Sequence, residues 1–137
     1  MSPAERRRLI AEAAERLVDV PFRLGGRDRA HGLDCVGVVV TALAACVDGP
    51  IAVPPYAMRR THLRPFDRRA EEHGLQPASG RRAAGDILVY RVGTAQFHAA
   101  IVLDDVRIVH AHAGLRRVVS GPVPSEWALV RQWRLLT

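Results

Sequence analysis

Three residues of this chain have side chains and positions suited to nucleophilic catalysis: Cys35, His98 and His110. Cys35 stands directly before an apolar segment with helical character. A helix start exposes backbone N–H groups and favours negative charge, so a thiol there populates the nucleophilic thiolate. The two histidines lie in successive runs that alternate like β-strands. A cysteine, a histidine and a second polar group in this order are typical of a nucleophile, its base and an orienting residue.

In this interpretation Cys35 attacks a carbonyl carbon as thiolate. His98 holds the thiolate as an ion pair and then protonates the leaving amine, while His110 binds the far nitrogen of His98. Asp34, the residue before the cysteine, has a negative charge that opposes a thiolate. A protonated His98 and the helix terminus must therefore outweigh it.

Two other interpretations of these residues stay open at this point. His98, His110 and His112 could form a three-histidine metal site, although no acidic or cysteine ligand accompanies them. The histidines could also be structural and Cys35 an inert buried thiol. The remaining histidines, His31, His62 and His73, have polar, arginine-rich neighbours and are predicted on the surface.

The composition indicates one soluble globular domain spanning residues 1–137. All 20 basic residues are arginine, and they are scattered along the chain; aromatics make up only 5%. That pattern argues against nucleic-acid binding. No apolar stretch approaches the ~20 residues that cross a bilayer, and the charged first residues predict no secretory signal. On one helix Cys35 and Cys46 would be roughly 16 Å apart, too far for a disulfide.

The elements that must position these residues follow from caps and periodicity. Helices are predicted from the Ser2–Glu5 capping box to about Val18, from Asp34 or Cys35 to about Val47, and over Phe66–His73; strands over Asp86–Val92, Phe97–Leu103, Val106–Ala113 and Leu115–Ser120; loops over Phe22–Leu33, Ile51–Arg64 and Gln76–Gly85. Trp127–Leu136 fits a helix leading into a strand, or one strand. This order predicts an α+β fold with N-terminal helices packed on a C-terminal antiparallel meander.

Several motifs, taken together and in order, resemble the NlpC/P60 cell-wall cysteine peptidases. Val20–Gly26 is similar to the family's T-P-Y-x-x-G-G segment, and Gly32–Gly37 to its D-C-S-G nucleophile motif. Ala84–Tyr90 resembles its P-G-D-L-V-x-F strand. Phe97–Leu103 and Arg107–Ala111 resemble the H-V-G-I-Y and F-I-H-A strands. The resemblance implies a minimal papain-like fold with Cys35 as nucleophile, His98 as base and His110 as third residue, and neither metal nor cofactor.

The same resemblance implies the substrate. Family members hydrolyse the D-γ-glutamyl–diaminopimelate bond, or a related amide, in peptidoglycan stem peptides, and Asp34 corresponds to a residue that binds the substrate's amino end. Two substrate-side positions depart from the family: Phe22 replaces its tyrosine and Val36 its serine. Segments such as Val53–Tyr56 resemble the branch carried by phage tails and gene-transfer-agent particles. Tail proteins are then possible partners, and the enzyme, made in the cytoplasm, would act on the wall within a particle or after release.

Other functions are also compatible with the sequence. The scaffold could serve as a catalytically weak or inactive tail-assembly or wall-binding module, as the two departures suggest. It could also perform a different acyl chemistry, such as deamidation or acyl transfer. A basic protein associated with nucleic acid is the remaining alternative, and its binding would depend steeply on salt.

Overall fold

The first helix begins at the predicted cap. In the computed structural model, which describes residues 1–56 and 62–137, helix α1 spans Pro3–Glu15. The backbone N–H of Glu5 donates to Ser2 Oγ at 3.1 Å, and the backbone N–H of Ser2 donates to Glu5 Oε1 at 3.4 Å. The helix ends before the predicted Val18. Asp19 adopts a positive φ of 76°, and its N–H donates to the carbonyl of Val118 at 2.9 Å.

Helix α2 spans Cys35–Leu43 and is capped by Asp34, as predicted. It is shorter than the predicted segment to Val47, because the chain turns after Leu43. Its apolar residues pack between α1 and the sheet, where Val38 and Ala42 are fully buried. Because α2 is apolar on more than one side, it is buried against α1 on one side and against the sheet on the other.

Within the described residues, the sheet has six antiparallel strands, which in chain order are β3 (Leu75–Pro77), β4 (Ile87–Gly93), β5 (Gln96–Val102), β6 (Ile108–His112), β7 (Arg117–Gly121) and β8 (Ala128–Leu135). Their spatial order is β3, β8, β4, β5, β6 and β7. Helix α3 (Arg64–Glu72) precedes β3, and a short hairpin of β1 (Arg27–Asp28) and β2 (Gly32–Leu33) precedes α2. The predicted α+β fold is confirmed.

Three details of the predicted layout are wrong. The sheet is not a simple meander, because β8 returns to lie between β3 and β4; that the last segment is one strand agrees with one of the two interpretations that we left open. Strand β3 lies in a segment that we predicted to begin a loop, because its strand character comes from pairing with distant β8. The short β1–β2 hairpin also lies in a predicted loop. Part of the predicted Ile51–Arg64 connection lies outside the described residues.

Both faces of the sheet are covered. Ile87, Ile101 and Val109 belong to the core shared with α1 and α2. On the other face a second cluster, including Leu88 and Ala100, packs under Val123 and Trp127. The apolar character of both faces of β5 therefore follows from its central position, with β4 on one side and β6 on the other. No helix in the described part of the chain is long and apolar enough to cross a membrane.

The antiparallel pairing of β5 with β6 places the beginning of one strand beside the end of the other. Ile101 pairs with Val109, and Val102 pairs with Ile108. His98 lies near the start of β5 and His110 near the end of β6, so both residues are at the same end of these neighbouring strands. The beginning of α2 lies at this end of the sheet too, and residues from both halves of the chain line one cleft there.

Candidate active site

Cys35 is the first residue of α2 and lines a cleft of about 290 Å³. It is present as a thiol, not in a disulfide. The helix start is fixed by backbone-to-backbone contact: a Cβ added at Gly37 would lie 2.2 Å from the carbonyl oxygen of Gly26. Because real Cβ atoms do not approach that closely, glycine at position 37 lets the preceding loop pack directly on the turn that carries the thiol.

His98 and His110 form a hydrogen-bonded pair that lines the same cleft. His98 Nε2 lies 2.8 Å from His110 Nδ1, and the two rings are perpendicular, with centroids 4.9 Å apart. These nitrogens bind each other and do not converge on a common point, as ligands of one metal ion would. Within the described residues, no group of three or more histidine, cysteine or acidic side chains is arranged to hold a metal ion.

Trp127 covers this histidine pair. Its ring centroid lies 5.1 Å from that of His98 and 5.2 Å from that of His110, both in edge-to-face geometry. It also contacts Tyr90 of the cluster beneath. We did not predict a site role for Trp127 from the sequence, because it lies outside the matched motifs and reaches the pair only through the return of the chain into β8.

Burial determines the charge of the pair. Burial lowers the pKa of His98 to about 3; the neighbouring His110 and His112 add to this effect, and Asp34 opposes it. Burial, followed by the proximity of His112, lowers the pKa of His110 to about 4. Removing a charged imidazolium from water is costly, so both rings are neutral near neutral pH. The resting imidazolium that we expected beside Cys35 is therefore not favoured.

Asp34 is buried, with 3% of its surface exposed, and receives two donors at each carboxylate oxygen. The N–H of Gly37 donates to Oδ1 at 2.8 Å, and Arg27 Nη1 donates to the same oxygen at 3.0 Å. The N–H of Gly25 donates to Oδ2 at 2.8 Å, and the Tyr56 hydroxyl donates to it as well. Asp34 thus caps the helix and pairs with Arg27, which offsets the charge that we expected to oppose a thiolate.

Tyr56 joins the long connection after α2 to this cap. Arg27 Nη2 donates to its hydroxyl at 2.6 Å. Burial, followed by the hydrogen bond to Asp34, raises the pKa of Tyr56 to about 12, so its hydroxyl is protonated at neutral pH. Sequence reasoning missed this contact, because a tyrosine in a proline-rich connection has no local periodicity that indicates its partner.

Comparison with known proteins identifies the family. The model of the NlpC/P60 family matches residues 19–131, most of the chain. The chain belongs to the NlpC/P60 family. The matched range includes every residue that lines the cleft, from Phe22 to Trp127. No curated protein sequence matches the chain closely enough to be counted as a relative.

Solved NlpC/P60 structures share the fold. NlpC1 from Trichomonas vaginalis aligns with a TM-score of 0.72 at 16% identity, over 97% of this chain and 45% of the other. The NlpC/p60 domain of the peptidoglycan hydrolase SagA aligns with a TM-score of 0.63 at 22% identity, over 90% and 94%. The peptidoglycan hydrolase RipB from Mycobacterium tuberculosis gives 0.66 at 19% identity, over 98% and 67%. This chain thus spans about half the length of the T. vaginalis protein.

The cleft of this NlpC/P60 protein brings most of the predicted site residues together. Cys35, His98 and His110 line it, as do Asp34 and Phe22. Val36 instead lines a separate, mostly apolar cavity of about 110 Å³, so its predicted contact with substrate has no counterpart in the lining of the cleft.

The other histidines are not all where we predicted them. His31 and His62 are exposed, as expected. The surface prediction for His73 is wrong: this residue follows α3, is half-buried, and lines the same apolar cavity as Val36. It is drawn inward because the chain must turn there from α3 into β3, whose first residue, Leu75, is buried.

Proposed function

We propose that this NlpC/P60 protein is a cysteine hydrolase that cleaves an amide bond in peptidoglycan stem peptides, namely the D-γ-glutamyl–diaminopimelate bond or a related one. The observation that carries the proposal is the arrangement of the cleft, where the thiol at the start of α2 faces the same space as the hydrogen-bonded pair of His98 and His110. Family membership supports it. Two of the compared structures are peptidoglycan hydrolases, SagA and RipB.

The hydrogen bond within the pair assigns a role to each nitrogen of His98. Nε2 is engaged with His110, so Nδ1 is the nitrogen that accepts a proton from Cys35. His98 Nε2–H then donates to His110 Nδ1, which holds the base in one tautomer and orientation. The thiol proton passes to Nδ1 as Sγ attacks the carbonyl carbon, since burial, which lowers the pKa of His98 to about 3, disfavours a charged imidazolium before that step.

The reaction then proceeds in two steps, formation of a thioester on Cys35 and its hydrolysis. Attack forms the C–S bond and a tetrahedral oxyanion, which backbone N–H groups at the helix start can stabilise. His98 returns its proton to the amide nitrogen as the C–N bond breaks, which releases the amine and leaves a thioester on Cys35. Water, deprotonated by His98, attacks the thioester and releases the carboxylic acid and the thiol. Asp34, whose oxygens are filled by the protein's own donors, acts by capping the helix of the nucleophile.

The second candidate is a module on the same scaffold that binds the wall or assembles into a tail without turnover. The low pKa of His98 favours it, because a weak base gives slow proton transfer from a thiol. Under either proposal, we place the site of action at the cell wall, reached within a phage-like particle or after release, with tail proteins as partners.

Product analysis tests the hydrolase. Purified protein, a Cys35→Ala variant and a Cys46→Ala control are incubated with diaminopimelate-type peptidoglycan, and soluble products are identified by mass spectrometry. Cys46 is a matched control because it is the other thiol and lies away from the cleft, with its Sγ 3.5 Å from the carbonyl oxygen of Arg6. We expect a cleaved stem peptide from the wild type and the control, and none from Cys35→Ala. Intact peptidoglycan in all three folded samples would support the binding module.

A further inference from the structure

His112 lines the cleft but has no part in the proposed mechanism. It is the last residue of β6 and lies on the same strand face as His110, with ring centroids 5.8 Å apart. Its side chain is half-buried. It therefore stands beside the histidine pair, within the same space that Cys35 faces, where a bound peptide would pass.

The backbone fixes the tautomer of His112. The N–H of Leu115 donates to its Nδ1 at 3.0 Å. A backbone N–H can only donate, so Nδ1 must be the acceptor and carries no proton. The neutral ring then carries its proton on Nε2. Within the described residues no hydrogen bond engages Nε2, so this N–H is a donor available to a ligand.

The turn around His112 holds the ring in place. Gly114 packs against it, and a Cβ added there would lie 3.1 Å from Cε1 of the ring. Arg116 in the same turn has a positive φ of 59°, and its carbonyl accepts the N–H of Phe22 at 2.9 Å. The turn is thereby fastened to the loop on the other side of the cleft. A donor held this firmly loses little conformational entropy when it binds a ligand.

We propose that His112 is a substrate-binding residue whose Nε2–H donates to a free carboxylate next to the scissile amide. The proposal rests on the proposed function, because a γ-glutamyl linkage leaves the α-carboxylate of glutamate free beside the bond that is cut. Two neighbouring polar groups of the cleft are already engaged within the protein: His98 bonds to His110, and Asp34 is filled by four donors. A hydrogen bond to a charged acceptor is about twice as strong as a neutral one. His112 therefore distinguishes a carboxylate from the corresponding carboxamide.

Binding measurements test this without depending on cleavage. The Cys35→Ala variant is titrated by calorimetry with a γ-glutamyl–diaminopimelate stem peptide and with the same peptide carrying an α-carboxamide. We expect the carboxamide peptide to bind about tenfold more weakly. Adding His112→Phe, which keeps the ring shape, should weaken binding of the carboxylate peptide to the same level and abolish the difference. His112→Gln, whose amide N–H can replace Nε2–H, should restore part of it.

The outcomes separate this inference from the proposed function. Equal affinity of Cys35→Ala for the two peptides, no binding of either, or discrimination that persists with His112→Phe would overturn the role of His112. If the His112→Phe chain does not fold, the peptide pair and His112→Gln still decide. Wild-type protein that binds the carboxylate peptide through His112 but cleaves nothing would refute the hydrolase and leave the binding role intact.

Discussion

Lowering the pH from about 7 to about 5 should destabilise this protein through the histidine pair at its cleft. The pKa of His98 falls from 6.5 to about 3 on folding, and that of His110 from 6.5 to about 4. In this range the unfolded chain therefore binds protons that the folded protein does not. The contribution of the neutral pair to the free energy of unfolding is fully present above pH 6.5 and is lost as the pH falls towards the folded pKa values.

The size of the loss follows from the same values. One pKa unit corresponds to about 1.4 kcal/mol. About 1.5 units separate the unfolded pKa from pH 5, so each histidine contributes about 2 kcal/mol to the loss. Because the two rings are coupled and His98 is only half-buried, we expect about 2–3 kcal/mol for the pair. That is a large share of the total stability of a typical domain, about 5–15 kcal/mol.

Urea unfolding followed by circular dichroism at both pH values measures this loss. The change with pH is determined within each protein, so that any effect of a substitution on overall stability cancels. His98→Gln should lose about 1–2 kcal/mol less than the wild type. His31→Gln is the matched control, because the His31 side chain is 70% exposed, and it should behave like the wild type. A wild-type loss below about 1 kcal/mol, or an equal loss in His98→Gln, would refute the proposed burial of neutral histidines.

Three further substitutions test the supporting structure, each by urea unfolding at neutral pH. Tyr56→Phe removes the hydroxyl that binds buried Asp34 and should cost about 1–3 kcal/mol; no change would mean that this contact is absent in solution. Gly37→Ala should destabilise by about 1–3 kcal/mol through collision with the carbonyl of Gly26, although this change usually stabilises a helix by about 1 kcal/mol. Asp86→Ala should cost about 3–5 kcal/mol, because the carboxylate of Asp86 is fully buried and its Oδ2 pairs with Arg134 Nη2 at 2.8 Å. A loss under about 1 kcal/mol would contradict a buried ion pair at this position.

The features that the sequence predicts best depend on neighbouring residues. The caps at Ser2 and Asp34 are determined within four residues, and both are present in the structure. The end of α3 near Gly74 was equally local, because that glycine adopts a positive φ of 85°. The ends of α1 and α2 were predicted too late. Helix-forming residues continue past both, and packing determines where each helix stops.

Features that depend on distant partners were not predictable in the same way. The position of β8 depends on pairing with Leu75–Pro77, a segment too short to show alternation. Tyr56 and Trp127 reach the cleft only through the folded path of the chain. By contrast, alternation in two strands, together with the family resemblance, led us to expect the contact between His98 and His110, and the structure contains that hydrogen bond.

The division of the cleft between two distant parts of the chain has a consequence during synthesis. Cys35 leaves the ribosome long before His98 and His110, and β8, which pairs with β4, follows both. Until then the chain carries Cys35 without the histidine pair and without the tryptophan that covers the pair. The nucleophile and base that we propose can therefore meet only after both β5 and β6 have been made.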